Sequence, residues 1–504
     1  MSRLDAWLES MNDARIVLAS YRGPSMDPSH PASGGLASAL GDMVRQIPTT
    51  WVAVGDFAPA RSPGGAFVEP VHLTPHERQL FYGGFSNRFY WMLAHGILHP
   101  PGPTQLRRWY EEGYLLANER FTDAIEATLE AGSGEREAPV WVHDYHLFLV
   151  PSMLRRRRPK ARIGFFLHVP WPSLAAWHEV PYAPVPAILR GVMGADIIGL
   201  QTVRDAHRLL ASIEEFAPEA QVTWERVGRR SDRGDGPVAV GSVAVGGHRA
   251  EVHAFPISID PQAVASRAQS ARAQRWRHHL AGGAGVRTLV RVDRLDPAKN
   301  TLLGFEAYEH LLERRSDLCG RTRFLAFLVP SRESLPEYRE YRHKVLETAR
   351  RINERFAAPG GPEPVTLFLQ NNVEAALAGL ALADVVLINS LADGMNLVAK
   401  EMTMVGSDDA VLVLSRTAGV AEAYRDAAIL VDPEDLEATA DALAAALAMS
   451  PAERRERMAR MRDAVTGWTL SDWLTAQLAL LFRRQRLAPL EALRPAVSWP
   501  SLRA

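Results

Sequence analysis

The sequence predicts an α/β protein of two doubly wound domains, and three observations lead there. Short apolar runs rich in β-branched residues recur with helical stretches between them. The runs fall into two series. The chain has 504 residues, too long for one ordinary domain and suited to two of roughly 200–250 residues.

The first series is RIVLAS (15–20), WVAVG (51–55), VWV (140–142), RIGFFLH (162–168) and DIIGL (196–200). The second is RTLVRV (287–292), RFLAFLV (323–329), VTLFLQ (365–370), DVVLIN (384–389), AVLVLS (410–415) and AAILVD (427–432). Strands that are apolar throughout, alternating with amphipathic helices, belong to parallel sheets covered on both faces. The expected first domain is 1–257 and the second 258–469, with 470–504 as a helical C-terminal segment returning to the first. Residues 226–250, rich in Gly, Arg and Asp, read as a mobile loop and a hairpin.

Hydrophobic content of 47% and charged content of 23% are those of an ordinary globular protein. A formal net charge of −1 gives no field that draws the chain onto nucleic acid or an anionic membrane. A single cysteine, Cys319, excludes an internal disulfide framework and cysteine-rich zinc sites, and implies a reducing compartment. MSRLDAWLESMNDAR lacks the apolar core of a signal peptide, and no apolar run is long enough to span a membrane. The expectation is a cytoplasmic protein.

Ligands of open α/β sheets bind beyond the carboxyl ends of the strands. There the sequence places Tyr21–Arg22, HDYH (143–146), His168, DRLDPAKN (293–300), Ser331–Arg332, and the stretch that follows DVVLIN, SLADGMNLVAKE (390–401). This mixture of cations and acids suits a ligand with phosphates and sugar hydroxyls. Arg294 and Lys299 suit a diphosphate whose charge grows as it leaves, or else form a surface Arg/Asp network within DRLD. Asp393 and Gly394 open a helix, where free N–H groups favour an anion, or where Asp serves as a cap. Glu401 suits a ribose or a solvated helix face. Asp144 suits sugar hydroxyls, since nothing near HDYH adds convergent metal ligands. His168 is a ligand residue or a core histidine. Gly34–Gly35 cradle phosphate or only start a helix. LRRRRPK (154–160) ends a helix and reads as a solvated face.

With WVHDYHLFLVP, FFLHVPWPS, GADIIGLQT, VDRLDPAKN, VPSRESLPEY, RINERF and DGMNLVAKE in order, the chain resembles the trehalose-6-phosphate synthases over about residues 14 to 485. Their relatives include the glucosylglycerol-phosphate and validoxylamine-phosphate synthases. The resemblance implies retaining glycosyltransferases of GT-B architecture, with two facing Rossmann-like domains and a cleft between them. It implies that Arg294 and Lys299 hold the donor diphosphate with backbone amides near Gly35 and at Gly394, Met395, Asn396 and Leu397. Asp393 would bind hydroxyls of the donor glucose, His168 its 6-hydroxyl region and Glu401 the ribose. Asp144 with Tyr145 would bind the acceptor sugar, and Arg22, Tyr82, Trp91 and Arg332 its 6-phosphate. The catalytic set is then Asp144, His168, Arg294, Lys299 and Asp393, without metal or cofactor. The partners are a nucleotide-glucose and glucose 6-phosphate; homo-oligomerisation stays open.

Two departures bear on the donor. Where the family commonly has Pro-Leu-Arg, this chain has Ser390-Leu391-Ala392. The stretch expected to border the base, FLQNN (368–372), is rich in amides, and Gln370, Asn371 or Asn372 suit a purine. The reading leans to GDP-glucose over UDP-glucose. The alternatives are a relative with another phosphorylated acceptor (glycerol 3-phosphate or an amino-cyclitol phosphate) and a non-catalytic sugar-phosphate sensor.

Overall fold

The computed structural model describes residue 4 and residues 15–27, 35–97, 99–132, 137–225 and 236–483. Contacts divide the chain into two compact units. One takes the chain to Ile257 together with the segment from Leu470; the other is Ser258–Thr469. Among the described residues no helix is long and apolar enough to cross a membrane.

The first unit holds ten strands: β1 (Ile16–Ala19), β2 (Thr49–Val54), β3 (Ala60–Arg61), β4 (Phe67–Val71), β5 (Val140–His143), β6 (Ile163–Phe166), β7 (Ile197–Leu200), β8 (Gln221–Trp224), β9 (Val238–Val245) and β10 (His248–Ala254). They form one sheet in the order β3-β4-β2-β1-β5-β6-β7-β10-β9-β8. Pairing is parallel from β4 through β10 and antiparallel at both margins. β1, β5, β6 and β7 are buried along their length, which explains their unbroken apolar runs. The hairpin β9–β10 turns at Gly246 and Gly247, with φ 54° and 79°, as a two-residue turn of this hand requires. The loop expected before it, at 226–235, lies outside the described residues. The helix Leu470–Leu481 packs within this unit. Its Trp473 ring stands edge-on to Phe166 at 5.2 Å and donates to Phe255 O at 3.0 Å.

The second unit holds β11 (Arg287–Leu295), β12 (Thr322–Pro330), β13 (Val365–Phe368), β14 (Val385–Ile388), β15 (Val411–Ser415) and β16 (Ile429–Val431). All pairs are parallel, in the order β13-β12-β11-β14-β15-β16. This is the doubly wound order of a Rossmann sheet, and its switch point lies between β11 and β14. The same reversal occurs in the first unit between β1 and β5.

Sequence reasoning missed two wide helices with π-type hydrogen bonding, Gln79–Trp91 and Trp109–Leu115. Glycines let them approach. A Cβ on Gly84 would stand 2.6 Å from Trp109, and one on Gly113 would stand 2.6 Å from Leu80. LRRRRPK is also corrected at one residue. Arg156 and Arg157 are exposed, but Arg155 is buried at 1% exposure beside Asp196 at 0%, 2.8 Å away. Its guanidinium also donates to Gly194 O, Pro159 O and Ala161 O, so it ties the helix end to the segments that lead into β6 and β7.

Candidate active site

Arg22, Asp144, Arg294, Lys299 and Asp393 lie at or just beyond the ends of the strands that flank a switch point, β1 and β5 or β11 and β14, whereas His168, Arg332 and Asn371 follow β6, β12 and β13. Four non-glycine residues among those described hold positive φ: Asp144, Asn300, Arg332 and Asn396. Each lies in the connection after a central strand: β5, β11, β12 and β14 respectively. Such conformations cost free energy and persist where the surroundings impose them.

In the first unit, β1 delivers Tyr21 and Arg22. Trp51 Nε1 donates to Ser20 Oγ at 2.8 Å, and Ser20 Oγ donates to Arg22 O at 2.7 Å, which fixes the strand end. Arg22 Nη2 donates to the Tyr82 hydroxyl at 3.1 Å. Tyr21 stacks on Tyr82 at 4.2 Å and on His146 at 5.0 Å, and burial holds the Tyr21 phenol above its usual range. Tyr82 and Trp91 both sit on the wide helix Gln79–Trp91. Trp91 and Tyr145 are core rings, at 5% and 2% exposure, with Trp91 stacked on His95 and Tyr145 donating to Asn87 Oδ1 at 3.1 Å.

Asp144 leaves β5 with φ 75° and ψ 166°, a region that side chains other than glycine seldom enter. The strain turns its carboxylate to the start of the next connection, where Oδ1 accepts from His168 N at 3.3 Å. The rings of His168 and His143 meet through Nε2 and Nδ1 at 3.2 Å. Burial pulls the His168 imidazole down to about 3, and burial with the neighbouring His168 lowers His143 well below its ordinary value. Both rings are therefore neutral near pH 7. Gly35 begins the helix Gly35–Gln46; Gly34 lies outside the described residues.

In the second unit, β11 runs on through Arg294, which is exposed between buried neighbours at the strand's end. A short turn, Pro297–Lys299, follows, and the helix Thr301–Arg314 begins after Asn300. Lys299 Nζ pairs with Asp393 Oδ2, which joins the ends of β11 and β14. Asn396 Nδ2 donates to the same oxygen at 3.0 Å, and Asn396 Oδ1 accepts from Ala399 N at 3.1 Å. Asn396, not Asp393, is thus the cap of the helix Leu397–Val405, and the capping role considered for Asp393 is corrected. The loop is pinned by Leu391 N to Ala298 O at 2.9 Å, Gly419 N to Asp393 O at 3.0 Å and Val420 N to Met395 O at 3.0 Å. Gly394 lies within this pinned loop. Burial pushes the Glu401 carboxyl up, partly offset by Arg267. Asn371 is exposed, whereas Asn372 accepts from Ala375 N at 3.0 Å and caps the helix Val373–Ala381.

Sequence reasoning missed three supports. Arg291, fully buried, donates through Nη2 to Asp293 Oδ2 and to Lys299 O, each at 2.9 Å. Asn300 Nδ2 donates to Asn389 O at 3.2 Å and Pro433 O at 2.6 Å. Asp296, for which a surface network within DRLD was one alternative, is buried at 0% and pairs with Arg332 at 2.5 Å. Arg291, a charge inside the apolar run RTLVRV, carried a signal in the sequence; Asp296 and Asn300, beyond that run, carried none. Among the described residues no three His, Cys, Asp or Glu side chains gather as a metal site.

Two doubly wound units, each with polar residues beyond the strands at its switch point, are the architecture of the GT-B glycosyltransferases. The chain belongs to glycosyltransferase family 20, whose model matches residues 30–483. It is 34% identical over 475 residues to a trehalose-6-phosphate synthase of Mycobacterium sp. (strain KMS), covering 93% of both chains. Among solved structures it resembles an α,α-trehalose-phosphate synthase (UDP-forming) from Burkholderia xenovorans in complex with glucose-6-phosphate. That match has a TM-score of 0.78 and 27% identity, and covers 93% of this chain and all of the other. A structure from E. coli bound with UDP-2-fluoro glucose gives a TM-score of 0.77 at 27% identity, covering 93% and 99%.

Proposed function

We propose that this chain transfers glucose from a nucleoside-diphosphate glucose to glucose 6-phosphate, with retention, giving α,α-trehalose 6-phosphate. The observation that carries the reading is the Lys299–Asp393 pair, a cation and an acid joined across the switch point, the place where open α/β sheets bind ligands. The names and ligands of the family-20 relatives support it.

Arg294 and Lys299, with backbone amides near Gly35 and from Gly394 to Leu397, hold the donor diphosphate. As the bond from the anomeric carbon to the phosphate oxygen breaks, those cations stabilise the growing charge. The acceptor hydroxyl forms the new bond on the face the diphosphate leaves, and the departing oxygen takes its proton. Positioning and charge stabilisation do this work without a carboxylate nucleophile, and no metal takes part. Asp393 receives donor hydroxyls. Neutral His168 meets the 6-hydroxyl, and Glu401 the ribose. Asp144 and Tyr145 serve the acceptor sugar. Arg22, Tyr82, Trp91 and Arg332 serve its phosphate.

For the base, exposed Gln370 and Asn371 favour GDP-glucose, although Asn372 is spent on its cap. The UDP-forming and UDP-sugar-bound relatives favour UDP-glucose as the second reading. Turnover with GDP-glucose and UDP-glucose at equal concentration, with glucose 6-phosphate, glycerol 3-phosphate and an amino-cyclitol phosphate as acceptors, tests both parts. A clear UDP preference overturns the purine reading. Transfer only to another acceptor overturns the acceptor.

A further inference from the structure

One carboxylate touches two parts of the second unit that the reaction uses for different substrates. The backbone oxygen of Asp296 accepts from Lys299 N at 2.9 Å. Its Oδ1 accepts from Ala298 N at 3.1 Å, so it caps the turn that carries Lys299. Its Oδ2 accepts from Arg332 Nη1 at 2.5 Å and from the Tyr338 hydroxyl at 3.5 Å. Arg332 Nη1 also donates to the Tyr338 oxygen at 3.0 Å. The pair is out of water, with side-chain exposure of 0% for Asp296 and 6% for Arg332, and Arg332 is held at φ 47°. A charge-assisted bond in such surroundings is strong and directional. Leaving Arg332 without it costs more than a surface ion pair does.

We propose that Asp296 is a positioning residue: through its two oxygens it fixes the Arg332 guanidinium for the acceptor's phosphate and the Pro297–Lys299 turn for the donor's diphosphate. This rests on the reading of Arg332 as an acceptor-phosphate residue. Asp296→Asn keeps an oxygen for the cap and a similar volume, but removes the charge that orients Arg332. Cutting the tie therefore acts first on the acceptor.

The test is steady-state kinetics on the full chain, varying glucose 6-phosphate at saturating donor and the reverse. Asp296→Asn is expected to raise the acceptor KM by about ten-fold or more, with kcat and the donor KM moving by less than about three-fold. Tyr338→Phe, which removes a neutral donor from the same carboxylate, is expected to raise the acceptor KM by about two- to five-fold. Arg332→Ala is measured alongside. If Arg332→Ala leaves the acceptor KM unchanged, the acceptor reading fails and the proposal with it. If Arg332→Ala raises it and Asp296→Asn does not, the reading stands and the positioning role is overturned. Should Asp296→Asn fail to fold, Tyr338→Phe decides, and an unchanged acceptor KM in that variant overturns the proposal.

Discussion

Lys299 and Asp393 stand 94 residues apart in the chain and form an ion pair in the fold, each with a side chain about one-seventh exposed. The pair forms because the turn after β11 and the loop after β14 leave neighbouring strands on opposite sides of the switch point. A cation and an acid that are already desolvated and oriented need little rearrangement when charge develops beside them. Arg294→Ala or Lys299→Ala is therefore predicted to lower kcat by about 100-fold or more, the size found for losing one preorganised charge donor. Single-turnover and steady-state rates check this, and near-normal turnover in either variant contradicts it.

The histidine pair makes stability depend on pH. Burial pulls His168 down to about 3 and lowers His143 well below its ordinary value, while in the unfolded chain both titrate near about 6.5. Below that value the unfolded chain binds protons that the folded chain refuses. Stability should thus be flat above it and fall as pH drops from about 6.5 toward about 3, by at most about 1.4 kcal/mol per pH unit for each histidine. Urea unfolding at about pH 7 and about pH 5.5 measures this. The slope should shrink in His168→Gln, and an equal slope in that variant assigns it elsewhere.

Asn396 has two separable duties. It caps the helix Leu397–Val405 and adopts φ 80°. Asn396→Ala should cost about 1 kcal/mol for the cap, plus the greater strain of Ala at positive φ, a region Asn tolerates better. Asn396→Gly relieves that strain and should be the more stable of the two. Thermal unfolding of the two variants gives the order; Ala at or above Gly refutes it.

Arg155 and Arg156 are adjacent and should respond oppositely. Arg155→Ala leaves the fully buried Asp196 carboxylate without its main partner and should destabilise by about 3–5 kcal/mol. Arg156→Ala, at an exposed position, should stay within about 0.5 kcal/mol. Equal effects in urea titrations would show that the buried pair contributes nothing specific.

The two sheets were legible because β1, β5, β6, β7 and β14 are buried on both faces, and such strands must be apolar throughout. The positions of Lys299, Asp393 and Asp144 were legible because polar residues stop those runs at their carboxyl ends. Their partners were not. Nothing local distinguishes Asp296, which binds a residue 36 positions away, from an exposed member of DRLD. Asn396 and Asp393 are both ordinary caps by residue type, and what decides between them is three-dimensional: Asn396 accepts from Ala399 N while Asp393 pairs with Lys299. The marginal strands β3, β4 and β8 are short or partly exposed, so their patterns stay weak. The wide helices depend on glycines whose meaning is a contact between two helices, which a single periodicity does not show.

The most direct test of the central claim is the product formed from a nucleotide-glucose and glucose 6-phosphate, followed by proton NMR of the anomeric signals. The account predicts a phosphorylated disaccharide with both anomeric centres α, together with release of the nucleoside diphosphate. A β centre, or hydrolysis of the donor without transfer, would contradict it.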